Sequence, residues 1–89
     1  MKKHTRIYMN YFDYGMEDFI GCEVCGAKAV DIHHIEPKGM GGSKTKDFIA
    51  NLVALCRSCH TKCHSDKAFS SRTKEKHLLN LHLHEKKLQ

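Results

Sequence analysis

Two Cys-x-x-Cys pairs, Cys22 with Cys25 and Cys56 with Cys59, constrain the fold of this chain more than any other feature. Cysteines at this spacing can direct both sulfurs toward one ion from a single turn, and four thiolates complete the tetrahedral shell that structural Zn²⁺ prefers. We therefore predict a structural zinc site. Its binding energy, on the order of 10 kcal/mol, is comparable with the whole stability of a small domain, so the metal should decide whether the chain folds.

The length of the chain also favours stabilisation by a metal. Its 89 residues predict a single domain over 1–89, for which roughly 130 kcal/mol of conformational entropy opposes folding. The N-terminal residues are not followed by the apolar stretch of a signal peptide, and no run approaches the ~20 apolar residues of a membrane span. We therefore expect a cytoplasmic protein without a membrane partner, in which paired cysteines bind zinc instead of forming disulfides.

The charge balance points toward polyanionic partners. Fifteen Lys and Arg against ten Asp and Glu give a net charge of +5. The same charge could simply keep the protein soluble, so it selects no partner by itself.

The hydrophobic pattern predicts a small α+β fold. We expect a helix over 5–14 ended by Gly15, a strand over 29–35 stopped by Pro37, and a second strand over 52–55. Asp47 could cap a single turn before the second strand. A helix should run from 57 to about 68, and the polar residues 70–73 should separate it from a final helix over about 73–87. The apolar side of that last helix would contain Leu78, Leu79, Leu81, Leu83 and Leu88.

Four histidines are placed suggestively for a second metal site. His60 and His64 stand at i and i+4, on one face of the predicted helix, whereas His33 and His34 point to opposite faces of a strand. One strand histidine can join the helical pair around a divalent cation, and the other can remain free as a base that takes a proton from water. Such a cation would stabilise charge on a phosphodiester and its leaving oxygen.

Other residues near this site also have predicted roles. Asn51 offers both a donor and an acceptor and could brace the loop and orient the base. Whether His64 is a ligand stays open, because two protein ligands plus waters would also satisfy Mg²⁺. Cys63 lies four residues after Cys59 and could compete as a zinc ligand, but knuckle geometry favours Cys59, so Cys63 is interpreted as a spare thiol. The remaining histidines are interpreted as surface or helix-face residues: His4, His77, His82 and His84.

Residues 31–37, the Gly41-Gly42 pair and residues 51–60 together resemble the signature of the HNH endonucleases, in the branch with zinc knuckles. The resemblance covers about 20–66 and implies the ββα-metal finger, a β-hairpin plus a helix, here with flanking terminal helices. It implies that His34 is the general base, that His33 and His60 bind the catalytic cation, and that Asn51 holds the hairpin. His64 matches a further ligand of the colicin-type nucleases.

The activity implied by the resemblance is single-metal hydrolysis of DNA, leaving 5′-phosphate and 3′-hydroxyl ends. Mg²⁺ or Mn²⁺ is the first expectation for the catalytic cation, with Ni²⁺, Co²⁺ or Zn²⁺ as alternatives. The chain is also similar to small stand-alone phage HNH proteins, which implies phage packaging proteins as candidate partners. We expect a monomer.

Five basic residues near the motif are candidate DNA contacts, with weak sequence preference expected: Lys38, Lys44, Lys46, Arg57 and Lys62. The rival hypothesis is a non-catalytic zinc module that binds DNA or protein through its basic surface. His34 separates the two hypotheses, since a pure zinc module needs no base beside His33.

Overall fold

The structure, a computed structural model, describes residues 2–36 and 47–87. Its elements are listed here in chain order: α1 (Lys3–Tyr11), β1 (Asp31–His34), a 3₁₀ turn (Ile49–Asn51), β2 (Leu52–Leu55), α2 (Arg57–Ser65) and α3 (Lys67–Lys87). The two strands pair antiparallel, which confirms the predicted α+β class. Within the described ranges, no helix has the length and apolar character needed to cross a membrane.

Both faces of the two-stranded sheet are covered. Side chains alternate along a strand, so Val53 and Leu55 point to one face, and Leu52 and Ala54 point to the other. All four are fully buried. The first pair packs against cysteines of the first knuckle and of α2, and we call this side the α2 face. The second pair packs against Tyr8 of α1, and we call that side the α1 face.

The register of the strands assigns one histidine to each face. His33 lies opposite Val53, and His34 lies opposite Leu52. Residues directly opposite each other in an antiparallel pair share a face of the sheet. His33 therefore lies on the α2 face and His34 on the α1 face, so neighbouring histidines are presented to different helices.

β1 is shorter than the predicted strand over 29–35, although backbone bonds extend the pairing past both of its ends. The amide of Val30 donates to the carbonyl of Leu55, and the amide of Ile35 donates to the carbonyl of Asn51, each at 2.9 Å. The first knuckle is tied to the same hairpin, because the amide of Glu23 donates to the carbonyl of Ala54 at 3.0 Å.

The helix α1 begins and ends earlier than the predicted 5–14. The chain leaves the helix after Tyr11 and turns at Asp13, whose φ of 59° lies in the left-handed region. Gly15 is therefore not the residue that ends the helix. The amide of Tyr14 donates to the carbonyl of Met9 at 2.8 Å and closes the turn.

The boundary between the last two helices lies at Asp66, not at 70–73. Asp66 has an extended backbone, and its Oδ1 accepts from the amides of Ala68 and Phe69 at 2.9 and 3.1 Å, the bonds of a helix N-cap. The polar residues over 70–73 continue the helix. Thr73 is buried and donates its hydroxyl to the carbonyl of Phe69 at 2.9 Å, so the segment that resembled a break is an ordinary turn of α3.

The buried face of α3 also differs from the predicted leucine stripe. Thr73, His77 and Leu81 recur at intervals of four and form this face. Three of the predicted leucines are largely exposed: Leu78, Leu79 and Leu83. Leu88 lies outside the described residues. The leucines fall on several sides of the helix because they do not follow one helical period.

A buried polar network fastens α3 to the first knuckle. The carboxylate of Glu23 accepts hydrogen bonds from Tyr8 Oη at 2.7 Å, His77 Nδ1 at 2.8 Å and Asn80 Nδ2 at 2.9 Å. The other ring nitrogen of His77 donates to the carbonyl of Ile49 at 2.7 Å. Because both partners of His77 are acceptors, donation from both nitrogens requires the charged imidazolium. His77 was predicted to be an ordinary surface or helix-face residue, but it is fully buried, so the prediction of a surface position is wrong.

The network sets the ionisation of its own members. Burial raises the pKa of the Glu23 carboxyl, but the hydrogen bond and charge of His77 outweigh it, and the pKa lies below its usual range. Burial and the nearby Glu23 carboxylate raise the pKa of Tyr8, so its hydroxyl remains a donor. His84 was also predicted to be a surface or helix-face residue. It is half-buried, and its Nε2 donates to the carbonyl of Tyr11 at 3.0 Å, which ties α3 to α1.

Candidate metal centres and active site

The four paired cysteines converge, as the sequence predicted. One sulfur from each lies within 4.8 Å of all the others, and the Sγ atoms of Cys25 and Cys56 are 3.6 Å apart. That separation is far too long for a disulfide, whereas a tetrahedral ion with Zn–S bonds of about 2.3 Å holds its sulfurs about 3.8 Å apart. The donor set and spacing therefore fit a structural zinc ion. Gly26, at a φ of 83°, lets the first knuckle turn back.

The electrostatics of the cluster also favour a cation. Burial raises the pKa of the Cys22 thiol, but backbone amides that point at the sulfur outweigh it and bring the pKa to about 6. Burial and the neighbouring cysteine sulfurs raise the pKa of Cys59. The backbone amides therefore favour the thiolate of Cys22. Its negative charge disfavours deprotonation of the neighbouring thiols until a divalent cation compensates that charge.

Cys63 stays outside the cluster although it lies one helical turn beyond Cys59. It is buried, and its thiol faces the hydroxyl of Thr73 at 3.5 Å. Among the described residues, the cysteine cluster consists of the four paired cysteines without Cys63.

Three histidines meet on the α2 face. One ring nitrogen each from His33, His60 and His64 lies within 4.8 Å of the other two. The Nε2 atoms of His60 and His64 are 3.0 Å apart, and metal–nitrogen bonds of about 2.1 Å separate two ligands by about 3.0–3.4 Å. The helical spacing thus places both imidazoles where one cation could bind, and the strand supplies the third.

The surroundings of this cluster keep its nitrogens available to a metal. Burial, together with the neighbouring imidazoles, lowers the pKa of His33 to about 4, so the ring is neutral at physiological pH. Asp31 lies on the same face, with Oδ2 3.5 Å from Nδ1 of His60. A carboxylate at this position favours a proton on Nδ1 and leaves Nε2 free to bind metal. No role was predicted for Asp31 from the sequence.

His34 is separated from the three-histidine cluster and has its own carboxylate. Its Nε2 lies 2.7 Å from Oδ1 of Asp47, and only 4% of the Asp47 side chain is exposed. The carboxylate favours the tautomer that carries its proton on Nε2, which leaves the lone pair on Nδ1. Asp47 was predicted to cap a turn, but the cap position belongs to Phe48, which makes no side-chain cap bond. Asp47 instead contacts His34.

Asn51 braces the segment that follows His34. Its Oδ1 accepts from the amide of Glu36 at 2.7 Å, and its Nδ2 donates to the carbonyl of Glu36 at 3.1 Å. The side chain is almost wholly buried, with 3% exposed. This two-point contact fixes the end of β1 against the start of β2, and therefore fixes the backbone next to His34.

A cavity of about 370 Å³ joins the two histidine groups. Its wall is built from β1, α2 and the start of α1, and its lining residues are Lys2, His4, Asp31, Ile32, His33, His34, His60 and His64. Lys2 and His4 lie at the start of α1, far from the motif in the sequence. No role was predicted for Lys2, and His4 was interpreted as a surface or helix-face residue, whereas it lines this cavity. Another cavity, of about 180 Å³, is lined largely by apolar side chains and contains no histidine.

Two of the five predicted DNA contacts lie within the described residues. Lys38, Lys44 and Lys46 lie outside the described residues. Arg57 and Lys62 are both exposed on α2. At 100° per residue, Arg57 lies on the same side of the helix as His60, whereas Lys62 points away from it. The ammonium of Lys62 instead lies 5.7 Å from the centre of the Phe69 ring, in a cation–π contact.

Comparison with known proteins agrees with this arrangement. Residues 22–66, just over half of the chain, match the family model described as HNH endonuclease. The matched segment begins at the first cysteine and ends just after α2, so it contains the cysteine cluster and the three-histidine cluster. It leaves out α1 and α3.

Three curated proteins are similar to parts of the chain. A mitochondrial DNA mismatch repair protein mutS homolog of Sarcophyton glaucum is 40% identical over 58 residues, 61% of this chain. The type IV methyl-directed restriction enzyme EcoKMcrA of Escherichia coli K12 is 38% identical over 56 residues, 52% of this chain. The uncharacterized protein YdfU of the same strain is 40% identical over 45 residues, 51% of this chain.

The chain corresponds to only a small part of each relative. The matched regions are 6%, 19% and 13% of the three proteins, in the same order. No solved structure matches the chain.

Proposed function

Because the chain belongs to the HNH endonuclease family, we propose that it hydrolyses DNA phosphodiester bonds with one divalent cation and a histidine general base. One observation carries the proposal. A single cavity holds three imidazoles close enough to share a cation, and beside them a fourth imidazole, His34, that is kept apart on its own carboxylate.

His33, His60 and His64 would hold the catalytic cation. Their nitrogens are close together and His33 is kept neutral, so the set can hold a transition metal such as Mn²⁺, Ni²⁺, Co²⁺ or Zn²⁺, or Mg²⁺ where waters supply its oxygen ligands. When bound, such a cation supplies stabilisation of negative charge on the phosphate and on the departing 3′ oxygen. The cysteine cluster would hold a separate, structural Zn²⁺.

His34 would take the proton from the attacking water. The proton on Nε2 is held by Asp47, and Nδ1 keeps the lone pair that accepts the new proton. The imidazolium that forms is then stabilised by the Asp47 carboxylate. Asn51 would act indirectly, because its two hydrogen bonds to Glu36 hold the backbone that follows His34.

DNA would approach the open side of the cavity, where positive charge is available. Lys2 lines the cavity, and Arg57 extends from the histidine-bearing side of α2. Lys38, Lys44 and Lys46 are also proposed to contact DNA phosphates, and this part of the proposal is based on the sequence alone. Phosphate contacts of this kind give affinity without base readout, so weak sequence preference is expected.

Plasmid nicking tests the proposal. Supercoiled DNA is incubated with the purified protein in Mg²⁺, in Mn²⁺ or in metal-free buffer. The expected result is metal-dependent relaxation that His34→Ala abolishes while the protein stays folded and keeps its cysteine-bound zinc. His82→Ala is the matched control, since His82 is an exposed histidine on α3 outside the cavity. DNA binding without nicking in every metal would contradict the proposal and favour a non-catalytic zinc module.

A further inference from the structure

A third group of metal-ligating side chains lies on the α1 face of the sheet. One ligand atom from each of His4, His34 and Asp47 lies within 4.8 Å of the other two. The rings of His4 and His34 are 4.5 Å apart between centroids, and Asp47 Oδ1 is 2.7 Å from His34 Nε2. α1, β1 and the segment before the 3₁₀ turn each supply one member. The three side chains are therefore brought together by the fold, and not by neighbouring positions in the sequence.

The chemistry of these donors selects a class of cation. Two imidazoles and one carboxylate form a nitrogen-rich set, which suits Zn²⁺ and similar transition metals better than Mg²⁺, an ion that prefers oxygen ligands. The carboxylate supplies negative charge in a largely buried position, since 4% of the Asp47 side chain and 16% of the His34 side chain are exposed. The cavity wall includes both histidines, so an ion from solvent can reach them.

We propose that His4, His34 and Asp47 form an inhibitory site for a transition-metal cation, distinct from the cysteine cluster and from the three-histidine cluster. This inference rests on the proposed function, in which His34 is the general base. It adds a regulatory site that shares one residue with the catalytic machinery.

The inhibition follows from the two nitrogens of one imidazole. A neutral ring has one lone pair and one N–H. When a cation binds Nε2 of His34 between His4 and Asp47, the ring proton moves to Nδ1, and no proton is gained or lost overall. Nδ1 then has no lone pair with which to accept a proton from water. Binding at this site therefore removes the base without unfolding the protein or changing the cysteine cluster.

Metal counting tests the site without reference to activity. In the double variant His60→Ala/His64→Ala, which removes the three-histidine cluster, we expect two Zn²⁺ per chain at saturation: one on the cysteines and one on His4, His34 and Asp47. Adding His4→Ala should reduce the count to one Zn²⁺ per chain, or lower the affinity for the second Zn²⁺ by at least about tenfold. Even a residue that only supports a metal ligand contributes that much affinity. Adding His82→Ala instead should leave two.

The result that would overturn the site is one Zn²⁺ per chain in the double variant, or a second ion that His4→Ala does not weaken. Thermal unfolding of each variant, with the cysteine-bound zinc present, distinguishes a lost site from a lost fold. This measurement needs no nicking, so it still decides the site if the protein proves not to be a nuclease.

Inhibition is tested by nicking with saturating Mg²⁺ and increasing Zn²⁺. The wild type should lose activity as Zn²⁺ rises, and His4→Ala, a residue with no role in the proposed hydrolysis, should need at least about tenfold more Zn²⁺ for the same loss. If His4→Ala and wild type are inhibited at the same Zn²⁺ concentration, Zn²⁺ acts by displacing Mg²⁺ from the three-histidine cluster, and the inhibitory role is wrong. If the wild type does not nick at all, the proposed function fails instead.

Discussion

The cysteine cluster and the three-histidine cluster both draw ligands from α2, yet they differ in kind. Both take residues from the N-terminal half of α2, where Cys59 and His60 are neighbours. The cysteines can surround an ion with four thiolates and leave it no open position, whereas the histidines line a cavity of about 370 Å³. A closed shell suits a structural ion, and an open one leaves room for water and substrate.

The difference shows how a small fold can keep the site that would stabilise it separate from the site that would perform the reaction. The centre that would determine stability is placed beside the centre that would perform the reaction, and one helix positions the ligands of both. Loss of the first should therefore remove both properties, whereas loss of the second should remove activity alone. The following predictions test that asymmetry.

The largest expected effect is on the cysteine side. Cys59→Ser should remove a zinc ligand and most of the binding energy, on the order of 10 kcal/mol, so that the protein does not fold. Cys63→Ser is the matched control, because Cys63 is buried on the same helix but lies outside the cluster. Its cost should stay near 1–3 kcal/mol. Circular dichroism and zinc content give the answer; a cooperatively folded Cys59→Ser protein with full zinc would contradict it.

On the histidine side, two variants should separate base from metal ligand. His34→Ala should lower the nicking rate by about 10²–10⁴-fold at saturating metal, which is the usual contribution of a general base. His60→Ala should instead raise the metal concentration needed for half-maximal rate. Both should remain folded, although His34→Ala should lower the melting temperature because it removes a hydrogen-bond partner of the largely buried Asp47 carboxylate. Metal titrations of the nicking rate distinguish them, and a shared change in metal requirement would mean that His34 is itself a ligand for the catalytic cation.

The buried pair of Glu23 and His77 offers a stabilising contact that needs no metal. His77→Ala removes one partner and leaves the Glu23 carboxylate buried, so the free energy of unfolding should fall by about 3–5 kcal/mol. His82→Ala, an exposed position on the same helix, should change it by less than about 0.5 kcal/mol. Urea denaturation with zinc present measures both. Equal stabilities for the two variants would show that the cysteine cluster alone fixes the fold.

The smallest predicted effect concerns DNA binding. Arg57→Gln should reduce the slope of log affinity against log salt by about 0.9 if the guanidinium neutralises one phosphate. Lys62→Gln should change the slope less, since Lys62 points away from the cavity and contacts Phe69. Fluorescence anisotropy at several salt concentrations provides the slopes. A larger change for Lys62→Gln would place the DNA on the opposite side of α2.

Features with a short-range signal in the sequence were predictable. The cysteine pairs, the i, i+4 histidines and the apolar run of β2 each carry their structural consequence within a few residues. β2 has the predicted bounds, and the predicted metal-ligand sets come together. The family resemblance added roles for His34 and Asn51, which the structure places at suitable positions and which activity measurements have to test.

The predictions failed where contacts between residues distant in the sequence, or a single side chain that caps a helix, determined the structure. His77 looked like a surface histidine because its partners, Glu23 and the Ile49 carbonyl, are 54 and 28 residues away. The break at Asp66 was missed because one side chain that caps a helix carries less signal than the polar run over 70–73. The pairing of Asp47 with His34, and the approach of His4, likewise depend on packing that no local pattern encodes.

Passage of the purified protein through metal-free buffer tests the separation of the two centres most directly, with nicking, zinc content and thermal unfolding measured on the same sample. The account predicts that nicking disappears, that one Zn²⁺ per chain and the full unfolding transition remain, and that added Mg²⁺ or Mn²⁺ restores nicking. Nicking that persists without added cation, or that is lost only together with the zinc and the fold, would contradict it.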